Sequence, residues 1–475
     1  MIYKAFLVRK TKVICTIGPV TQSFDMLKEL VKSGMNVARL NMSHGDHESH
    51  AKIIKAIKTL NKEINYPVPV LLDTQGPEIR TGMLKEDLEL VPGDVISISV
   101  RADEVEETSF QINYQDLIEE MEIGDRITVD NGLINLEVLE KEDDRIMRCK
   151  VIDGGTLSSK RHVNLPGIKV NLPSITAKDK EDILFGIEQE VDFIALSFVR
   201  CADDIKELKT LLGDKANKIK IIAKIEDQEA LRNIVEIVEE ADAIMVARGD
   251  LGVEINIEDL PNVQRDIIQL CHKYGKRVIV ATHLLESMIE NPIPTRAEVT
   301  DIANAVFEGA DAVMLSGETT VGKYPTKCVE YLHKIAKATE KKIVLDFRKN
   351  LISDTEKQSL SVAAVTLAEQ IKARGIIVIT RRGRTANFVT NAHPETANIY
   401  AFTNDNRTRR QLQLNKAVVP QRLAFSIDPE KTLMAAMMQL KENEGFKEGE
   451  PVVVVSDIIA GAGIDAIQIR YIPSS

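Results

Sequence analysis

The residues best suited to chemistry lie in the stretch 220–254, KIIAKIEDQEALRNIVEIVEEADAIMVARGDLGVE. Two short apolar runs, 221–223 and 244–247, each give way to charge. On a strand, alternate side chains share a face, so Lys224 and Glu226 project together while Ile225 points away. The second run delivers Arg248, Gly249 and Asp250 at the equivalent end. Glu226 and Asp250 form an all-oxygen pair suited to a hard divalent cation such as Mg²⁺. Lys224 beside them would meet negative charge developing on a substrate oxygen. An isolated Lys-x-Glu is more often a weak surface ion pair. The surrounding chain therefore decides the reading.

Between the two runs, Asp227 caps a segment with Leu231, Ile234, Val235 and Val238 at helical spacing, making a strand–helix–strand unit. The same alternation starts at strand 12–17 and continues through a helix opened by Ser23, then strand 37–40, which ends in Asn41-Met42-Ser43-His44-Gly45. A helix carrying Ile53, Ile54, Ile57 and Leu60 leads to strand 70–72, which ends in Asp73-Thr74-Gln75-Gly76-Pro77. The alternation then stops. Short strands (95–100, 126–129, 134–139) separated by Gly-containing turns predict an all-β insertion. From Thr176 the alternation resumes, with a helix through Ile183, Leu184 and Ile187, strand 193–196 and a helix from Asp203. After the 220–254 unit come strand 278–281, ending in Thr282-His283, a capping box of Thr295 and Glu298, and strand 312–315, ending in Ser316.

Eight such strands predict an α/β fold, a closed (β/α)8 TIM barrel whose chemistry sits at the C-terminal strand ends. Arg39, Asn41, Ser43, His44, Asp73, Thr74, Ser197, Lys224, Glu226, Asp250, Thr282 and Ser316 would share that rim. The expected division is a catalytic barrel A domain (1–77 and 174–342), an inserted β-rich B lid domain (78–173) and a C-terminal α/β effector-type domain (343–475). In the last, Thr380, Arg381, Arg382, Gly383, Arg384 and Thr385 precede a helix, a loop suited to anion capture by backbone N–H groups and guanidinium forks.

A net charge of −11 argues against a general nucleic-acid or anionic-membrane binder. The five cysteines are scattered and form no C-x-x-C pair, which reads as reduced thiols rather than a zinc site. The opening MIYKAFLVRKTK lacks the apolar core of a signal peptide, and no apolar run reaches spanning length, so a cytoplasmic location is expected.

The strings NVARLNMSHG, DTQGPEIRTG, IIAKIE, MVARGDLGVEI and MLSGET, in this order, resemble the pyruvate kinase family over roughly residues 10–341. The resemblance implies transfer of the phosphoryl group of phosphoenolpyruvate to ADP, giving pyruvate and ATP in the last step of glycolysis. It implies that Glu226 and Asp250 hold Mg²⁺ (or Mn²⁺), and that Lys224 stabilises charge as the phosphoryl group moves. Arg39 becomes a phosphate-binding arginine, and Gly249 offers backbone N–H to the substrate carboxylate. Thr282, with Ser316 second, is implied in the proton relay. Asn41, Ser43, Asp73 and Thr74 match a K⁺ site, and acidic Glu78 goes with K⁺ dependence in this family. Arg80 and Arg161 match nucleotide-phosphate contacts, with Asn41 and His44 close by. Thr380, Arg382, Gly383, Arg384 and Thr385 resemble an effector-phosphate loop, for a sugar-phosphate or nucleotide effector. The family is usually a homotetramer.

Gln75 stands where lysine is common, His283 where glutamine is, and Lys160-Arg161-His162 where Lys-Lys-Gly is. The segment 456–465 lacks the usual glycine-and-threonine pattern. A metal-dependent aldolase on the same barrel would need the carboxylates but neither the K⁺ site nor the nucleotide arginines. A non-catalytic regulator predicts erosion of Lys224, Glu226, Asp250 or Thr282, and all four are intact.

Overall fold

The computed structural model describes residues 9–100, 109–343, 347–456 and 466–474. Eight parallel strands close into a barrel: β1 (Lys12–Thr16), β2 (Val37–Asn41), β3 (Val70–Asp73), β4 (Phe193–Leu196), β5 (Lys220–Ile225), β6 (Ala243–Ala247), β7 (Arg277–Ala281) and β8 (Ala312–Leu315). Each strand pairs with its neighbours in sequence, and β8 closes on β1 through Lys12↔Ala312 to Cys15↔Leu315. Period-2 alternation divides the side chains into two layers. Val13 and Cys15 face outward to the helices, while Ile14 joins Val37, Leu71, Phe193, Ile222, Met245, Ile279 and Met314 inside the barrel. The interior is thus a packed core, and its polar residues are left for the strand ends.

The helices form where capping and periodicity coincide. Ser23 accepts from the Met26 N–H at the start of Phe24–Ser33, and Thr295 with Glu298 makes the reciprocal box that opens Arg296–Phe307. Two helical expectations need correction. The segment after Asp227 breaks at Asn233 into Gln228–Arg232 and Ile234–Glu240, because the Asn233 side chain turns to donate to the Arg200 carbonyl. Val235 consequently points to solvent rather than to the core. In Ala177–Glu188, Ile183 is buried but its neighbour Leu184 is exposed, one residue round the helix from the apolar face.

Between β3 and β4 the chain forms a separate six-stranded sheet, ordered Val163–Asn164, Arg126–Val129, Ile134–Lys141, Ile146–Asp153, Val95–Ser99 and Ser109–Gln111. It closes over its own core of Ile98, Leu136, Val138, Met147 and Cys149. Beyond the barrel, Val418–Arg422, Asn398–Thr403, Gly375–Ile379 and Pro451–Ser456 form a parallel sheet, with Ala466–Tyr471 antiparallel at its edge. Apolar clusters cover both of its faces. This C-terminal unit closes the barrel floor. Leu414 enters the interior cluster, the Lys12 ammonium donates to the Val418 carbonyl at 2.6 Å, and Arg410 pairs with Asp192.

Candidate active site at the C-terminal strand ends

The β5 side chains behave as alternation requires. Lys224 and Glu226 share a face with Nζ···Oε1 at 3.0 Å, while Ile225 is buried among the helices. The Lys224 ammonium also reaches Asp73 Oδ1 (3.2 Å) and Ser197 Oγ (2.6 Å), tying β5 to β3 and β4. Asp73 is wholly buried, and its other oxygen accepts from Arg39 Nε at 2.6 Å, while Arg39 Nη1 donates to Thr16 Oγ1 at 2.8 Å. Three strand ends, those of β2, β3 and β5, are therefore locked by one alternating chain of charge, Arg39–Asp73–Lys224–Glu226.

The electrostatics follow from burial and these pairings. Burial pushes the Asp73 carboxyl up, but Arg39 and Lys224 outweigh it and hold it below the usual range. Burial works against the Lys224 charge, yet Asp73 and Glu226 keep it firmly protonated. Burial pushes Glu226 up to about 7, with Lys224 opposing and the like charge of Asp250 adding to the rise. Burial raises Asp250 as well. Two carboxyls raised together on one rim have the chemistry of a divalent-cation site: oxygen donors whose charge is unbalanced until a cation joins them. Among the described residues no third His, Cys, Asp or Glu completes a cluster with them. Mg²⁺ fits such a two-carboxylate set, since it takes its remaining ligands from water and substrate oxygens.

Gly249 and Asp250 begin a helix, Arg248–Glu254, that the sequence reading did not anticipate. The Gly249 N–H donates to Thr282 Oγ1 at 2.8 Å, and Thr282 Oγ1 in turn donates to the Ala281 carbonyl at 2.6 Å. Thr282 (φ 68°) and His283 (φ 54°) both lie in the left-handed region, at about 1–3 kcal/mol of strain each. What holds them there is Arg248. Its guanidinium donates to the carbonyls of Ala281 (3.3 Å), Thr282 (2.6 Å) and His283 (3.4 Å), and pairs with Asp301 at 2.7 Å. Glu318 does the same work one loop on, accepting from the Leu285 and Ser316 N–H groups at 2.9 and 2.7 Å. The Ser316 hydroxyl is buried and has no partner among the described residues.

Asn41, Ser43, Asp73 and Thr74 come together on the adjacent ends of β2 and β3, where Asn41 is in register with Asp73. Asn41 Oδ1 accepts from the Ser43 N–H and Thr74 Oγ1 from the Ser197 N–H. His44 sits exposed on the next turn. Glu78 accepts from Arg80 Nε (2.7 Å) and Gln75 Nε2 (2.9 Å); burial would raise its carboxyl, but these bonds keep it low. Arg161 reaches Asp130 at 3.4 Å on the inserted sheet, and its Nε is unpartnered among the described residues. His162 approaches Asp250 at 3.7 Å, and Asn164 donates to Glu254 at 3.2 Å, so the inserted sheet lies against the rim.

The loop of Thr380, Arg382, Gly383, Arg384 and Thr385 lies elsewhere, between strand Gly375–Ile379 and helix Arg384–Asn391. Gly383 takes φ 79°, and its N–H is occupied by Thr380 Oγ1 at 3.1 Å. Of the segment 456–465, all but Ser456 lies outside the described residues.

The sequence places Ser197 and Arg248 at the strand ends without assigning either a role, and gives none to Thr16, Phe198 or Glu318. The Phe198 N–H donates to Glu226 Oε2 at 2.7 Å, a backbone contact that no side-chain pattern reveals. Arg248 did carry a signal, a charged residue directly after an apolar strand.

Fold and site together define a (β/α)8-barrel enzyme with a charged rim, an inserted β sheet over that rim and a C-terminal α/β unit beneath. Residues 8–329 match the family model for the pyruvate kinase barrel domain, and residues 358–469 match that for the pyruvate kinase alpha/beta domain. Plastidial pyruvate kinase 2 of Arabidopsis thaliana is 42% identical over 94% of this chain and 78% of its own length. A pyruvate kinase of Staphylococcus saprophyticus is 42% identical over 95% of this chain and 78% of its own. The chloroplastic isozyme G of Nicotiana tabacum is 43% identical over 94% and 80%. The chain belongs to the pyruvate kinase family and is a phosphotransferase.

Proposed function

We propose that this enzyme moves the phosphoryl group of phosphoenolpyruvate to ADP, releasing pyruvate and ATP as the closing step of glycolysis. The observation that carries the reading is the Arg39–Asp73–Lys224–Glu226 chain, which sets two cations and two acids side by side at the C-terminal strand ends. Phosphoryl transfer asks the protein mainly for positioning and charge stabilisation. Lys224, held protonated, meets the charge on the transferring group and on the enolate oxygen. Arg39, fixed by Asp73 and Thr16, binds phosphate. Gly249, beside Thr282, offers the substrate carboxylate a backbone that no side chain covers. Thr282, with Ser316 behind it, serves the proton relay that makes pyruvate.

Glu226 and Asp250 would hold Mg²⁺ or Mn²⁺, and Asn41, Ser43, Asp73 and Thr74 would hold K⁺. When bound, these ions supply fixed positive charge against phosphate and carboxylate oxygens. Glu78, kept ionised by Arg80 and Gln75, is the reason K⁺ is required. Arg80, Arg161, Asn41 and His44 contact the nucleotide. In this reading residues 1–77 and 174–342 are the catalytic domain, 78–173 a lid that closes over the nucleotide and excludes water, and 343–475 an effector domain. Its Thr380, Arg382, Gly383, Arg384 and Thr385 take a sugar phosphate or nucleotide, in a homotetramer. Five free thiols favour a reducing, cytoplasmic setting. No described helix is long and apolar enough to cross a membrane.

The test is ADP-dependent pyruvate formation with Mg²⁺, comparing K⁺ with tetramethylammonium. K⁺-stimulated turnover is expected. Lys224→Met should leave phosphoenolpyruvate binding near normal and lower turnover by about 10²-fold or more, as loss of an oxyanion donor does. Near-native turnover of that variant would refute the role of Lys224.

A further inference from the structure

On the floor side of the barrel, away from the strand ends that form the active site, the seam with the C-terminal unit holds a cavity of about 350 Å³. That volume falls in the range of small-molecule sites, about 300–1,000 Å³. Lys10, Glu340, Lys341 and Ile343 contribute from the barrel side. Phe347, His393, Pro394, Thr396 and Lys416 contribute from beyond it.

Lys416 is the unexplained member. It is 7% exposed, and its ammonium is buried with no hydrogen-bond partner among the described residues. The acids nearest in charge are already committed. Glu340 accepts from the Lys10 and Thr11 N–H groups, and Asp311 pairs with Arg277 at 2.8 Å. A buried ammonium without a partner is costly, and burial lowers the Lys416 pKa accordingly; an anion beside it would offset that cost and hold the charge. Lys10 does not share that need, because its ammonium donates to the Pro394 and Glu395 carbonyls.

One wall is aromatic, with the Phe347 and His393 rings tilted 39° to each other. The His393 ring lies 4.8 Å from Phe347 and 4.4 Å from His272, centroid to centroid. Desolvation keeps both imidazoles neutral, so neither ring brings charge, and the lining acid Glu395 faces Arg348 at 3.7 Å. His393 (φ 45°) and Ala417 (φ 63°), both lining this cavity, are held in the left-handed region, as Thr282 and His283 are at the active site. Strained backbone of this kind collects at ligand sites.

We propose that this cavity binds a small organic anion with an aromatic body, its carboxylate or phosphate on Lys416 and its ring packed against Phe347 and His393. The site is separate from the catalytic rim, so the claim stands whatever the reaction proves to be.

The test is calorimetric titration of the full-length enzyme with salicylate and, separately, phenyl phosphate. Benzyl alcohol (a ring without charge) and inorganic phosphate (charge without a ring) serve as controls. One site per chain is expected for at least one aromatic anion, with both controls binding more weakly. The preferred aromatic anion tells carboxylate from phosphate. Lys416→Met keeps the bulk and removes the charge, and should weaken that binding roughly tenfold or more, the loss typical of a charge-assisted hydrogen bond. Thr396→Tyr, at the exposed rim, should block the mouth without disturbing the buried core, and basal turnover confirms that both variants fold. No binding by either aromatic anion, or binding unchanged in both variants, would overturn the proposal.

Discussion

Arg248 shows how a residue outside the reacting set governs one inside it. Thr282 and His283 adopt a backbone that non-glycine residues avoid, and three carbonyls there are claimed by one guanidinium. Without that clamp the 281–283 turn should relax toward ordinary angles and withdraw Thr282 Oγ1 from the Gly249 N–H. Arg248→Leu should therefore lower turnover by about 10²-fold, the order expected when a reacting group shifts by an ångström. Its Asp301 partner is partly exposed and can be rehydrated, so stability should suffer less than activity. Steady-state kinetics beside a thermal melt would check this. Wild-type turnover would mean that the turn holds itself. The charged members of the site were legible from residue type and alternation, Lys224 and Glu226 above all. The roles of Phe198 and Thr16 were not, because each acts through a contact between strands that only closure of the barrel creates.

At the scale of elements, caps do double duty as loop fasteners. Thr295 Oγ1 accepts from the Glu298 N–H, and Glu298 answers by accepting from the Thr295 N–H at 2.7 Å. The same carboxylate accepts from the Ser287 N–H (2.7 Å) and hydroxyl (2.6 Å), tying down the loop that follows β7. Burial pushes the Glu298 carboxyl up, but these bonds prevail and hold it low. Thr295→Ala should cost about 1 kcal/mol, an ordinary cap loss. Glu298→Ala should cost more, about 2–3 kcal/mol, because charge-assisted bonds on two segments go together. Urea midpoints of the two variants decide the order, and equal losses would show that the Ser287 bonds carry no weight. The box itself was visible in the sequence, but its second partner was not, since Ser287 lies outside the helix.

The whole molecule is joined along a seam of buried polar groups, and that seam makes its stability depend on pH. His272 is 6% exposed and burial pushes it down to about 4, and burial holds His393 well below the usual histidine value as well. An unfolded histidine titrates near 6.5. Between about pH 6.5 and 4 the unfolded chain binds protons that the folded chain refuses. Stability therefore rises with pH across that window and is lost as pH falls through it. The slope is at most about 1.4 kcal/mol per pH unit for each histidine. Urea unfolding at several pH values in this window, compared with His272→Gln, isolates the contribution from that of the carboxylates. An unchanged slope in the variant would sink the assignment.

The chain order of its amino acids carried the barrel and the insertion, because β/α alternation and its interruption are local patterns set by side-chain period and turn chemistry. It also carried the acids and cations of the rim, since strand ends are where a packed barrel leaves polar groups. Only the tertiary structure decided which of these groups meet. The alternation of charge from Arg39 through Asp73 and Lys224 to Glu226 crosses three strands far apart in sequence. The neutral histidines and the solitary Lys416 owe their state to burial at a seam between two separately formed cores. Burial and cross-strand distance are properties of the closed structure, and no spacing along the chain encodes them.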